Sequence, residues 1–311
     1  VVGYWGGFLA NEGLCRDAQE RLRLQADPRY RRQAKEAAVA FSGKAGAGAS
    51  AVVALLTDFG DDYYVGVMKG VLATRAPRAR VIDLSHRIAP GRVAEAAYVL
   101  ASAVPYFPPR TVFCCVVDPG VGGPRRRLAV RTADGTTFVA PDNGLLTPIL
   151  DDDGARVAVR ALDNRAWACG EPSSTFQGRS HFAPAAAALV AGAKFEAAGP
   201  VVTDPVMLPE PRCVASAGRI EGEVVYVDAF GNLVTSIDRG ALERVGPDAL
   251  LAVAIGGRRI AGVVRTYGDG PPQGPMAYVG STGHLEIAVR DGNAARELGL
   301  GVGADVDVLR G

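Results

Sequence analysis

No stretch of this sequence approaches the ~18 to 20 consecutive apolar residues that a bilayer-spanning helix needs, and Val1–Ala10 is too short and too rich in glycine to serve. A membrane-embedded helix is therefore not expected. Net charge is nearly absent: 34 Lys and Arg against 33 Asp and Glu leave +1. That balance gives no electrostatic case for nucleic acid or an anionic membrane as the main partner, although Arg125-Arg126-Arg127 forms a local basic run. Cysteine pairing is missing too, because the five cysteines (Cys15, Cys114, Cys115, Cys169, Cys213) are odd in number and lack CxxC spacing. This argues against a disulfide framework and a structural zinc site, and reduced cytosolic thiols are the simpler reading. With only His86, His181 and His284 and no HExxH, no metal is expected. Because the chain opens on Val rather than Met, its start is expected either upstream or removed by processing.

What is present is material for a substantial core. The 311 residues are 48% hydrophobic and 22% charged, enough for two ordinary domains. Residues 1–50 stand apart: Glu12–Ala40 is polar and rich in Ala, Arg, Gln and Glu, and Ser42–Ser50 is a Gly/Ala/Ser linker, so a helical extension is expected there. From Ala51 the chain alternates. Ala51–Leu56, Arg80–Leu84, Thr111–Val117 and Phe138–Ala140 read as strands, and Tyr64–Arg75, Ala94–Val104 and Phe182–Ala193 as helices. Such alternation predicts an α/β domain over residues 51–200 with a mostly parallel sheet covered by helices. Beyond Pro200, short runs punctuated by Pro and Gly (Gly222–Val227, Leu233–Ile237, Leu250–Ile255, Met276–Val279, His284–Val289) predict a small antiparallel barrel or sandwich over 201–311.

In open α/β sheets, ligands sit at the carboxyl ends of strands. Three apolar runs lead into polar clusters: Thr57-Asp58-Phe59-Gly60-Asp61-Asp62, Asp118-Pro119-Gly120-Val121-Gly122 and Pro141-Asp142-Asn143-Gly144. A carboxylate at such a position can accept hydrogen bonds from both hydroxyls of a ribose, which makes Asp58 a candidate nucleoside anchor with Asp62 as helper. Capping of a loop or helix is the competing use. The segment from Asp118 to Arg125 is glycine-rich but is neither a Walker loop nor GxGxxG. It can hold a carboxylate–guanidinium pair around one water, or be a structural ion pair at a turn.

Taken together, Leu56-Thr57-Asp58-Phe59-Gly60, Tyr64-Val65-Gly66-Val67-Met68-Lys69-Gly70, Ile82-Asp83-Leu84-Ser85-His86, Asp118-Pro119-Gly120-Val121-Gly122, Pro141-Asp142-Asn143-Gly144, Thr175-Phe176-Gln177-Gly178-Arg179, Asp228-Ala229-Phe230-Gly231-Asn232 and Gly280-Ser281-Thr282-Gly283-His284-Leu285-Glu286 resemble the S-adenosylmethionine hydroxide adenosyltransferase family, a relative of the fluorinating and chlorinating enzymes. The resemblance runs from Ala51 to the C-terminus. It implies an N-terminal α/β domain, a C-terminal β-barrel, a homotrimer with ligand at subunit interfaces, and hydrolysis of S-adenosylmethionine to adenosine and methionine. The substrate would also be the only small molecule required, with no separate cofactor.

Carried over by motif, Asp58 resembles the ribose-binding Asp and Asp62 an Asp near the methionine end. Asp228, Phe230 and Asn232 match the DxFGN motif of the amino-acid and adenine environment. Ser281 matches a Ser near the methionine carboxylate, and the backbone around Val289 would face adenine. The family's Asp–Arg–His trio that positions or activates water is matched by Asp118 and Arg125, but its third member is Gln177 where the pattern has His. A glutamine can orient water without taking its proton. Two alternatives follow: a halogenase, against which Asp118 speaks because the halogenating relatives carry Tyr there, and a binding module that holds the ligand without turning it over.

Overall fold

A computed structural model of the chain describes residues 51–153, 157–216 and 218–311. The expected helical extension and linker over residues 1–50 lie outside the described residues. The rest divides into two compact units, residues 51–210 and Pro211–Gly311.

In the first unit the continuous apolar runs become buried strands. A six-stranded sheet contains β1 (Val52–Thr57), β2 (Arg80–Ser85), β3 (Val112–Val116), β4 (Arg127–Arg131), β5 (Thr137–Pro141) and β6 (Ala158–Ala161), in the order β2-β1-β3-β5-β4-β6. Strands β1, β2, β3 and β5 are parallel, whereas β4 runs antiparallel to both β5 and β6. Alternate residues of each central strand serve opposite faces, as the pleat requires. Val53, Leu55, Cys114 and Val116 join Met68 and Leu72 of α1 (Tyr63–Arg75) and Ala183 and Ala186 of α4 (Ala183–Val190) in one core layer. Ala54, Leu56, Phe113 and Cys115 join Ala96 and Leu100 of α2 (Val93–Ala103) and Ile149 of α3 (Thr147–Asp153) in the other. Burial pushes both cysteine thiols far up from their ordinary value, so Cys114 and Cys115 are small core residues, not nucleophiles.

The helix expected over Phe182–Ala193 begins differently. Residues Gly178–Phe182 form a π-helical turn, closed by the Ala183 N–H donating to the Gly178 carbonyl, before the α-helix proper starts. It ends at Val190, three residues short of the expected Ala193, and Gly192, at φ +95°, then turns the chain away, a conformation that costs a residue without Cβ little.

The second unit is an eight-stranded antiparallel barrel-like sheet. Its strands are β7 (Cys213–Ser216), β8 (Arg219–Val227), β9 (Leu233–Asp238), β10 (Leu251–Ile255), β11 (Arg258–Ala261), β12 (Pro275–Val279), β13 (His284–Val289) and β14 (Asp305–Arg310). They run β11-β10-β14-β8-β9-β13-β12, with β7 also on β8. Past β11 the chain turns back to the far edge, where the Val264 N–H donates to Ala277 of β12 at 2.8 Å. Period-two burial explains the arrangement: Ile220 and Val224 of β8 face the core with Leu233, Ile237, Val253 and Ile287. Two short α-helices interrupt it among the described residues, α5 (Arg239–Val245) and α6 (Ala294–Leu298). Asp238 caps the first by accepting the Ala241 N–H, and Asn293 caps the second through Arg296 N–H.

Leu100 is fully buried between α2 and the sheet. Leu100→Ala is expected to lower unfolding stability by about 2–5 kcal/mol, read from urea denaturation; a loss below ~1 kcal/mol would show that this face of the sheet is not a packed core.

Candidate active site

Strand order places the first-unit site. From β1 the chain crosses to β2 on one side, then returns through α2 to β3 on the other, so the order reverses between β1 and β3. Thr57 at the end of β1 pairs with Val116 at the end of β3. Asp58 and Asp118, which follow these two ends, therefore emerge side by side where the diverging connections leave a crevice. A cavity of about 320 Å³ opens there, lined on its polar side by Asp58, Asp118, Gln177 and Arg179.

The loop after β3 is built to return Arg125 to Asp118. Val121 N–H donates to the Asp118 carbonyl at 3.3 Å and Gly123 N–H to that of Gly120 at 3.0 Å. Gly122 sits at φ +81°, and a Cβ there would come within 3.0 Å of the Ser174 carbonyl oxygen, so both conformation and space call for glycine. Arg125 then grips Asp118 with two parallel donors: Nε to Oδ1 at 3.0 Å, and Nη2 to Oδ2. Both side chains are nearly buried, 11% and 5% exposed. This two-pronged match of planar guanidinium to carboxylate gives geometric specificity that a lysine would not.

Gln177 completes the group. Its Oε1 accepts a hydrogen bond from Arg125 Nη2 at 2.8 Å, which commits the carbonyl end of the amide and leaves the NH₂ end as donor. Asp118, Arg125 and Gln177 are thus brought together. Arg125 also lies over the Phe182 ring, 5.7 Å from its centroid. The basic run dissolves on folding: Arg126 pairs with Asp142 and Asp204 at 2.7 Å each, and Arg127 donates to the Leu162 carbonyl at 3.3 Å.

The other polar side chains of the first unit separate. Asp58 lines the cavity, with Oδ2 accepting the Gly91 N–H at 2.8 Å. Asp62 is exposed, caps α1 through the Tyr63 N–H at 2.6 Å, and is not among the lining residues. His181 bonds Ser180 through Nδ1 at 2.8 Å. Burial, together with the cations Arg127 and Arg125, lowers its pKa.

In the second unit Asp228 organises a turn. Its Oδ1 accepts the N–H groups of Phe230 (2.9 Å) and Asn232 (2.8 Å), and its Oδ2 the side-chain amide of Asn232 at 2.9 Å. Phe230 is thereby held 77% exposed. Gly231, at φ +86°, lies against Asn293, 2.1 Å from where a Cβ would stand. Ser281 is exposed in the turn before β13, and the Val289 carbonyl accepts the Tyr267 hydroxyl at 3.2 Å.

Sequence reasoning missed the apolar wall of the cavity. Phe59, Tyr63, Tyr64 and Phe176 line it. Tyr64 packs edge-on to Phe176 at 4.8 Å and stacks on Tyr63 at 4.4 Å. The available signal was adjacency, since Phe59 follows Asp58 and Phe176 precedes Gln177. Also missed was Glu286, buried and bonded to the Tyr278 hydroxyl at 2.6 Å. Burial and the Asp228 charge push its carboxyl up, against the opposing hydrogen bond from Tyr278.

Two stability measurements follow. Arg125→Met strands the Asp118 carboxylate and is expected to cost about 3–5 kcal/mol, whereas the double variant Arg125→Met/Asp118→Leu costs distinctly less; additive losses in denaturant titrations would mean the pair is not coupled. For His181, a depressed folded pKa means that the unfolded chain takes up the proton first. Its contribution is present above the unfolded value near ~6.5 and is lost as pH falls through the lower folded one. Melting curves across that window should fall less steeply for His181→Gln than for the unchanged chain, and equal slopes would contradict the assignment.

Comparison with known proteins agrees with this architecture. Residues 53–199 match the SAM hydroxide adenosyltransferase N-terminal domain and residues 222–307 its C-terminal domain. A protein of Thermus thermophilus named (R)-S-adenosyl-L-methionine hydrolase is 42% identical, over 83% of this chain and 99% of its own. A fluorinase of Actinoplanes is 28% identical over 83% and 97% respectively. A crystal structure of an uncharacterized conserved protein from Thermotoga maritima superposes with a TM-score of 0.77 at 36% identity, covering 83% of this chain and all of the other. The chain belongs to the SAM hydroxide adenosyltransferase family.

Proposed function

We propose that the chain hydrolyses S-adenosylmethionine to adenosine and methionine. The observation that carries this reading is the Asp118–Arg125–Gln177 cluster opening on the same cavity as Asp58, in a chain of this family. Water attacks ribose C5′ as the C5′–sulfur bond breaks. The sulfonium leaves with the bonding pair as neutral methionine thioether, and the water sheds one proton. No general acid and no cofactor are needed, because the substrate brings its own activated leaving group.

The demand on the protein is chiefly positional: a water held in line with the breaking bond. Asp118 can accept a hydrogen bond from that water, since each carboxylate oxygen retains a lone pair beyond the one given to Arg125. Of the three residues only Asp118 can take up the proton. Arg125 fixes the plane of the carboxylate, and the Gln177 amide NH₂ supplies a donor to the water oxygen. Gln177 thus stands in for the histidine of the family pattern as an orienter, not a base. Asp58 binds the ribose hydroxyls.

The family motifs support a role for Ser281 at the methionine group and for Asp228, Phe230, Asn232 and the Val289 backbone at the ligand's amino-acid and adenine parts, whereas Asp62 caps α1 outside the cavity. The family resemblance supports a homotrimer with ligand at subunit interfaces. A cytoplasmic setting is part of this reading; the described cysteines 114, 115, 169 and 213 form no disulfide. No helix among the described residues is long and apolar enough to cross a membrane.

The test is product analysis by chromatography with purified protein, using both sulfur epimers of the substrate because the relatives are named for the (R) form. Adenosine and methionine in equal amounts are expected, with Asp118→Asn slower by about 100-fold or more. With excess chloride, a 5′-chloronucleoside would replace this reading by halogenation, and a tightly held ligand with no product would replace it by a binding module. If Gln177 works only as an orienter, Gln177→His adds to the pH–rate profile an acidic limb in the imidazole range, with the rate falling as pH drops through ~6.5, that the unchanged enzyme lacks.

A further inference from the structure

Beneath the Asp58 loop lies a polar chain that the proposed reaction does not use. Lys69 Nζ donates to Asp83 Oδ2 at 2.5 Å, and Asp83 Oδ1 lies 3.0 Å from His86 Nε2 without the alignment of a full hydrogen bond. His86 Nδ1 is 2.9 Å from Thr57 Oγ1, which in turn accepts the Phe59 N–H at 3.3 Å. The His86 carbonyl accepts the Gly60 N–H at 2.7 Å. His86 therefore holds both sides of the turn that carries Asp58: through Thr57 before it, and through Gly60 after it.

The chemistry gives the chain a direction. Burial would raise the Asp83 carboxyl, but Lys69 and His86 outweigh that and hold it below the usual carboxylate range. A carboxylate facing Nε2 favours the ring proton there, which leaves Nδ1 to accept the Thr57 hydroxyl proton. Thr57 Oγ1 is then free to receive the Phe59 N–H. The row Asp83–His86–Thr57 has the residue types of a hydrolytic triad, yet Thr57 is fully buried and does not line the cavity. Its hydroxyl cannot be a nucleophile, and the row has another use.

We propose that His86 is a positioning residue for substrate binding: through Thr57 and Gly60 it fixes the turn that aims the Asp58 carboxylate at the ribose hydroxyls. The inference rests on the reading of Asp58 as the ribose anchor. A ribose contact made equally in the ground and transition states acts on KM and leaves kcat alone.

The test uses the full chain with His86→Phe, His86→Asn and Thr57→Val, following adenosine Kd by calorimetry, KM and kcat with S-adenosylmethionine, and Tm. His86→Phe is expected to raise both adenosine Kd and KM about tenfold, with kcat within about twofold. His86→Asn keeps an acceptor where Nδ1 stands and recovers most of that loss. Thr57→Val, which preserves shape, repeats the effect alone and adds less than about twofold on top of His86→Phe, as members of one chain should. A lowered Tm with unchanged Kd and KM would make the chain purely structural and overturn the proposal, as would a loss confined to kcat. If His86→Phe does not fold, Thr57→Val decides by the same readouts. Failure of the unchanged protein to bind adenosine overturns the ribose-anchor reading and this inference with it. Normal adenosine binding without turnover overturns only hydrolysis, and Kd still judges His86.

Discussion

The two-pronged contact of Arg125 with Asp118 is the constraint around which the first unit is organised. A carboxylate that is 5% exposed and a guanidinium that is 11% exposed are both largely withdrawn from water, a cost that only close, well-aligned partners offset. Everything nearby supplies that alignment. Gly122 allows the reversal of the loop, Gln177 accepts the remaining Nη2 donor, and Phe182 places an aromatic face under the guanidinium. Removing one member leaves the others in geometry they would not adopt alone.

The same logic explains why a glutamine fits where the family pattern has histidine. The position accepts from Arg125, and a neutral amide oxygen does this in every protonation condition, whereas an imidazole would do so only as an acceptor tautomer. The exchange gives up a titratable group and gains an invariant one. A reaction whose leaving group departs uncharged tolerates that exchange better than one that must protonate its leaving group.

Legibility in the sequence followed the strength of local signals. The strands β1, β3 and β13 were readable because continuous or alternating apolar runs admit few other fates, and α1 because its apolar spacing is long enough to average over exceptions. Strand β4 was not: in Arg127-Leu-Ala-Val-Arg131 three apolar residues between two arginines carry too little pattern. The π-helical turn at Gly178 has no compositional mark, since it differs from an α-turn only in which carbonyl is reached. Asp58, Asp118 and Gln177 were legible as site candidates from strand ends and family motifs. The hydrogen bond that ties Gln177 to Arg125 was not, because it joins residues 52 positions apart through tertiary packing alone. Asp62 shows the converse: the sequence allowed both a helix cap and a ligand contact, and the cap is formed.

Strands β3 and β4 are consecutive in the chain, yet they do not touch; β5, which comes later, lies between them and bonds to both. The loop that carries Asp118 and Arg125 is therefore a bridge thrown over a gap that its own sequence cannot span into register. Its two abutments acquire a fixed separation only when a strand made afterwards is wedged in as a keystone. Fraying of Thr137–Pro141 would release the spacing that holds Asp118 against Arg125, although β5 contributes no residue to the loop, so the integrity of this site is a report on the whole sheet.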